Sequence, residues 1–172
     1  PTMTRTRPIA LDTAARALGL DEDLPLLHRA LGELGLAAEI VVWDDAAVEW
    51  QRFDAAVVRS TWDYFSRRDE FLAWADRVAA ATVLLNPPPV LQWSSDKHYL
   101  AELASAGVPI VPTTFVDAGG AIALPELDDF IVKPAVSAGS NDTARYRSAT
   151  EREAGLAHVQ RVVAAARAGM VE

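Results

Sequence analysis

The 172 residues contain no cysteine. Disulfides, thiolate metal sites and cysteine nucleophiles are therefore excluded. Lysine is almost missing too: of 16 basic residues, 14 are Arg and only Lys97 and Lys133 are Lys. Positive charge is scarce overall, since 24 acidic residues leave a net charge of −8. A general nucleic-acid binder, which needs a basic face, is disfavoured, although a local anion site is still open. No segment approaches the ~18 apolar residues needed to span a bilayer, and residues 1–20 lack the uninterrupted apolar core of a signal peptide. A soluble, cytoplasmic protein without membrane or nucleic-acid partners is expected. The phosphate loop GxxxxGK[ST], the dinucleotide fingerprint GxGxxG and the GxSxG nucleophile elbow do not occur. His28, His98 and His158 fall at no metal-ligand spacing, so each reads as a helix-surface or packing histidine.

What is present is an ordinary globular mixture, 51% hydrophobic and 23% charged, long enough for one domain or two small ones. Ile9–Leu11, Ala37–Trp43, Phe53–Val58 and Thr82–Leu85 read as apolar strands, with a polar turn at Asp12–Thr13. Leu24, Leu27, Leu31 and Leu34 recur at helical spacing over 21–35, with Gly35 as the stop. Ser66 is a candidate cap for a helix over 67–81 with Phe71, Trp74, Ala75 and Val78 inward. Continuously apolar strands separated by amphipathic helices predict a small, doubly wound parallel sheet over residues 1–86. Asn86 and the prolines 87–89 end it. Beyond them, Ser94 or Ser95 is expected to cap a helix running to Ala106, stopped by Gly107. Strands at 113–116, 130–132 and 143–147 and a helix over 150–168, with Leu156, Val159, Val162 and Val163 inward, predict a small α+β lid. Gly169-Met-Val-Glu172 reads as one more strand with nothing to pair it, as if the chain stopped inside a larger protein.

Three segments carry candidate chemistry. Ser94-Ser95-Asp96-Lys97 puts a lysine in a helix's first turn, where the macrodipole is already positive and an anion would be welcome; a solvated lysine beside Asp96 is the alternative. In Phe130-Ile-Val-Lys-Pro134, alternation places Phe130 and Val132 on one face and Ile131 and Lys133 on the other. The loop behind it offers backbone N–H groups and the hydroxyls of Ser137, Ser140 and Thr143; an ordinary hairpin loop is the alternative. Arg59-Ser60-Thr61-Trp62-Asp63 lies where a parallel strand ends, the usual place for ligands in open α/β sheets. There Arg59 can clamp a carboxylate and Ser60 and Thr61 can orient a polar substrate. The alternative is a packed Trp62 with an Arg59–Asp63 ion pair. Asp44 and Asp45 read as a capping turn.

In order, Asn86-Pro87, Trp93-Ser-Ser-Asp-Lys97, Gly107-Val-Pro-Ile-Val-Pro-Thr113, Ile131-Val-Lys-Pro134 and Ser137-Ala-Gly-Ser-Asn-Asp142 resemble the ATP-grasp superfamily over nearly the whole chain. Arg59-Ser-Thr-Trp-Asp-Tyr64 resembles its D-cycloserine ring-closing subgroup. The resemblance implies a pre-ATP-grasp, acceptor-side domain over 1–86, a connecting helix over 87–109 carrying the first lysine, and a lid subdomain over 110–172 that ends at the adenine hinge. It implies that Lys97 and Lys133 contact nucleotide phosphates, and that Ser137, Ala138, Gly139, Ser140, Asn141 and Thr143 belong to the loop closing over the transferring phosphate. Glu172 would face the adenine, and Arg59, Ser60, Thr61, Trp62 and Asp63 the acceptor. The implied activity is ATP-dependent ligation: a small-molecule carboxylate becomes an acyl phosphate and an amine-type nucleophile attacks it, in one molecule if the product is cyclic. ATP and Mg2+ are the implied cofactors, the metal ligands being expected downstream of this chain, which alone should not catalyse. A homo-oligomer is expected. With only Gly139 in it, the loop departs from the family's glycine-richer ones. Two other classes compete: a non-catalytic nucleotide-binding or regulatory module of this fold, and a phospho-acceptor domain built on Asp12, Asp44 and Asp45.

Overall fold

A computed structural model describes residues 7–117, 119–165 and 169–171. The chain divides into two compact units, Pro1–Gln92 and Trp93–Glu172.

The first unit is built on four parallel strands, β1 (Ile9–Thr13), β2 (Ala38–Val42), β3 (Ala55–Ser60) and β4 (Val83–Leu85), in the order β2-β1-β3-β4. Helix α1 (Asp23–Glu33) links β1 to β2, and α2 (Arg68–Ala81) links β3 to β4. Because the chain leaves β1 toward one neighbour and later returns to β3 on its other side, the carboxyl ends of β1 and β3 flank a topological switch point. One face of the sheet is packed with aromatics. Phe71, Trp74, Ala75 and Val78 of α2 are all buried, as their spacing predicts, and join Trp43 and Phe53 over the small Ala10 and Ala56. Trp43 meets Phe71 and Trp74 edge-on, at centroid distances of 5.6 and 5.7 Å, the geometry that ring quadrupoles favour. Helix α1 is held less deeply: Leu24 is buried, whereas Leu34 is 76% exposed. Gly35, at φ +75°, ends it. The Leu36 N–H donates to the Leu31 carbonyl and the Gly35 N–H to that of Gly32, both at 2.9 Å, which is the Schellman closure.

Two local expectations fail here. Asp12 and Thr13 do not form a turn; they complete β1, in register with Val41 and Val42, and both are buried. Ser66 does not cap α2, whose cap position is Arg67. The Ser66 hydroxyl instead donates to the Asp63 carbonyl at 2.9 Å within a short 3-10 turn.

The second unit is an antiparallel sheet of β5 (Thr114–Val116), β6 (Asp129–Pro134), β7 (Ala144–Arg147) and β8 (Gly169–Val171), in the order β5-β8-β6-β7. Helix α5 (Ser148–Ala164) packs Val159 on Phe130, Val132, Val116 and Val171, with the half-buried Val163 against the same cluster, and Val162 is buried as well. Two corrections concern this unit's strands and helix. The last strand, expected to be unpaired, lies between β5 and β6 and is paired on both sides. The helix expected to reach residue 168 ends at Ala164, and residues 166–168 lie outside the described residues. A further correction concerns the helix expected from Ser94 or Ser95 to Ala106. It is two helices, α3 (Pro88–Ser94) and α4 (Tyr99–Ser105), with a turn between them. The break has two causes. The Asp96 carboxylate accepts from the His98 N–H at 3.1 Å, and the Lys97 N–H is drawn to the carbonyl of Ala135 at 3.0 Å. Gly107, at φ +81°, ends α4 as expected. Among the described residues no helix is long and apolar enough to cross a membrane.

Candidate functional site

In the second unit, β6 alternates as its sequence predicts: Phe130, Val132 and Pro134 are buried, while Ile131 and Lys133 are half-buried on the other face. Lys133 stands opposite Met170 of β8. Lys97 does not occupy a helix's first turn, and its N–H is already engaged, so the expected cluster of open helix N–H groups is not formed there. Its position is set instead by the chain following β6. The Lys97 ammonium donates to the Ala135 carbonyl at 3.2 Å, the Ser137 carbonyl at 3.0 Å and the Ser137 hydroxyl at 2.8 Å. Although 36 positions apart in sequence, Lys97 and Lys133 line one cavity of about 380 Å³. Its other walls include Leu100, Leu103, Ile110 and Val111. Two cations in the lining of a largely apolar pocket suit an anion carrying an apolar body.

The small-residue loop follows directly. Ser137 is buried, and its hydroxyl both accepts from Lys97 and donates to the Pro134 carbonyl at 3.2 Å. Two tight turns shape the remainder: the Asn141 N–H donates to the Ala138 carbonyl at 3.1 Å and the Thr143 N–H to that of Ser140 at 3.2 Å. Gly139, Ser140 and Asp142 have φ of +58°, +56° and +51°. Two of these three left-handed positions are not glycine, each costing about 1 kcal/mol. Asp142 is tied to α5, its Oδ1 accepting from His158 Nε2 at 3.1 Å and Arg161 Nη2 at 3.3 Å. Sequence reasoning missed His158, which is buried. The signal was available: position 158 lies on the inward stripe of α5, between Gly155 and Val162. Glu172, expected at an adenine hinge, lies outside the described residues.

In the first unit, the β1–β3 ladder is irregular at its carboxyl end. Asp12 is level with Val58 and Thr13 with Ser60, so Arg59 is an extra residue between them, a bulge of the kind that re-aims side chains beside sites. Arg59 Nη2 reaches Asp23 Oδ2 at 3.0 Å and Asp21 Oδ1 at 3.4 Å. The expected alternative pairing with Asp63 is not made. Asp63 accepts from Trp43 Nε1 at 2.9 Å and lies 3.6 Å from Arg67. Trp62 does not pack as that alternative required but is 41% exposed, and its carbonyl accepts from Arg16 at 2.5 Å. Ser60 and Thr61 are buried, and the Ser60 hydroxyl bonds to that of Thr13 at 2.8 Å. Of the five residues, Arg59 and Trp62 are therefore the ones that reach solvent with their side chains best placed to meet a ligand.

The acidic residues do not gather into a phospho-acceptor pocket. Asp12 is fully buried, with neither carboxyl oxygen partnered among the described residues, and burial pushes its pKa up to about 8. Asp44 pairs with Arg67 at 2.6 Å, and Asp45 accepts from the Ala47 N–H at 2.8 Å as the expected capping turn. Among the described residues no three His, Asp or Glu side chains gather as a metal site.

Residues 9–86 match the family described as D-cycloserine synthetase DcsG, N-terminal domain. The chain is 42% identical over 165 residues to the cycloserine biosynthesis protein DcsG of Streptomyces lavendulae, a match covering 91% of this chain and 55% of that protein. The crystal structure of D-cycloserine synthetase DcsG superposes with a TM-score of 0.83 at 38% identity, over 95% of this chain and 58% of the other. Over residues 9–86 the chain matches that family, and over most of its length it is similar to DcsG in sequence and in fold. A more distant structural likeness, the D-alanyl-alanine synthetase A of Vibrio cholerae, shares the fold at 12% identity, with a TM-score of 0.69 over 97% of this chain and 59% of the other. This chain thus spans little more than half the length of these relatives.

Proposed function

We propose that this chain supplies the acceptor side and the nucleotide lid of an ATP-dependent carboxylate ligase whose nucleophile is amine-type and belongs, in a ring closure of the cycloserine kind, to the same substrate molecule. The observation that carries the reading is the shared cavity: the chain has only two lysines, and both line it. On this reading Lys97 and Lys133 bind the phosphates of ATP, their ammonium groups stabilising charge that spreads over the transferring phosphoryl group. Residues 137–143 cover that group and keep water from the acyl phosphate. The acceptor carboxylate bonds to the γ-phosphorus as ADP leaves, and the amine then attacks the carbonyl carbon as phosphate leaves. Arg59 holds an anionic group of the acceptor: among the described residues only its Nη2 is engaged, leaving the other side of its fork to donate. Mg2+ is the metal the family implies, and its ligands are not assigned to residues of this chain.

The test is Lys133→Ala with ATP titrated by calorimetry. Loss of a charge-assisted contact worth about 1.5–3 kcal/mol lowers affinity roughly tenfold or more. Unchanged affinity in a folded variant refutes the nucleotide assignment. Retained affinity in the parent protein, with no ligation of any carboxylate, favours a regulatory module instead.

A further inference from the structure

Resting on the reading of 137–143 as the phosphate-covering loop, we infer that His158 is a positioning residue that fixes the far end of this loop through Asp142, and that Tyr146 sets the imidazole for that task. Three elements meet here. Asp142 ends the loop, Tyr146 lies on β7, and His158 lies on α5 with 2% of its surface exposed. The histidine touches both partners, Nε2 to Asp142 Oδ1 at 3.1 Å and Nδ1 to the Tyr146 hydroxyl at 2.9 Å. The chemistry orders the protons. An ionised carboxylate only accepts, so Nε2 carries the hydrogen; in the neutral ring Nδ1 then accepts, and the phenol donates to it. Tyr146 thereby selects the tautomer that can hold Asp142.

Gly155, one turn before His158, makes this contact possible. A Cβ at position 155 would fall 2.5 and 2.6 Å from ring atoms of Phe130 and 3.3 Å from Tyr146. The bare backbone lets α5 lie close enough to the sheet for the imidazole to reach the phenol. The loop itself needs such a hold. Ser140 and Asp142 adopt left-handed backbone without being glycine, a conformation that lasts only where the surroundings over-determine it. The near end of the loop is held by Lys97 on Ser137. The far end is held by α5, with Arg161 on the same Asp142 oxygen from the solvent side. A loop with one glycine is thus kept in shape by side chains at its two roots.

The experiment is amide hydrogen exchange of residues 138–143, with and without ATP, in the intact protein and in His158→Gln, His158→Asn and Asp142→Ala. The Gln amide nitrogen can stand where Nε2 stands, and the Asn amide cannot reach Asp142. We expect exchange in the loop to rise about tenfold in His158→Asn and Asp142→Ala, and to stay within about threefold of the parent in His158→Gln, with α5 protected throughout. ATP affinity should fall in the first two and recover in the third. Asp142→Ala, at a partly exposed side chain, keeps the test open should a His158 variant fail to fold. Unchanged loop exchange in Asp142→Ala, or equal loss in all three variants, overturns the positioning role. A failure of the nucleotide reading shows separately, as Lys133→Ala leaving ATP affinity untouched.

Discussion

Asp12 makes a quantitative demand on stability. It closes β1 with no exposed surface and no hydrogen-bond partner for either oxygen among the described residues, and its pKa rises from 3.8 to about 8 through desolvation. The folded protein therefore keeps the proton over a range in which the unfolded chain has lost it. Where the folded state binds more protons, stability falls as pH rises. The fall should begin near pH 4, continue to near pH 8 and then level off, at about 1.4 kcal/mol per pH unit. Between pH 5 and pH 7.5 this one group should cost about 3 kcal/mol. Asn has the same shape and does not titrate. In urea unfolding at both pH values, Asp12→Asn should gain about 3 kcal/mol on the parent as pH is raised between them. Every other titrating group cancels in that comparison. If the difference in stability between the two proteins is the same at pH 5 and pH 7.5, the carboxyl ionises in the folded state much as it does in water, and the argument from burial is refuted.

Arg59→Ala should raise the KM for the acceptor severalfold with a smaller effect on ATP, measured by steady-state kinetics of the intact protein; the reverse pattern contradicts the assignment of the β3 end to the acceptor. Gly155→Ala should destabilise by roughly 1–3 kcal/mol in urea unfolding, because overpacking against Phe130 outweighs the better helix propensity of alanine; a variant as stable as the parent refutes the close approach of α5.

What was legible in the sequence was what short-range physics decides. The inward stripe of α2, the alternation across Lys133 and the stops at Gly35 and Gly107 each depend on residues within a few positions, and the structure has them. What was not legible depends on partners far along the chain. The helix around Lys97 breaks because Ala135 takes its N–H. The strand at 169–171 finds neighbours at 114–116 and 132–134. Asp12 and Thr13 look like a turn because polar residues after an apolar run usually are one; only the flanking β2 and β3 turn them into strand. The site divides the same way. Its lysines stand out by composition and His158 by its place on the inward stripe of α5, whereas the bonds of His158 to Tyr146 and Asp142 join elements that only the fold brings together.

The scarcity of lysine and the geometry of Lys97 bear on one another. An ammonium carries three hydrogens on one atom, and at Lys97 three oxygens lie within hydrogen-bond reach of that atom, two carbonyls and a hydroxyl. Arginine spreads its donors over a wide plane and cannot converge on such a tight set. These three acceptors are neutral, and a phosphate oxygen would add the Coulombic attraction of a full negative charge that they lack. A phosphate entering the cavity would therefore compete well for the hydrogens that now hold Ser137, and winning one would loosen the near root of the loop while Asp142 keeps the far root in place. On the proposed reading, one lysine both senses the phosphate and governs the segment that covers it, a double role that a chain otherwise rich in arginine could fill only with lysine.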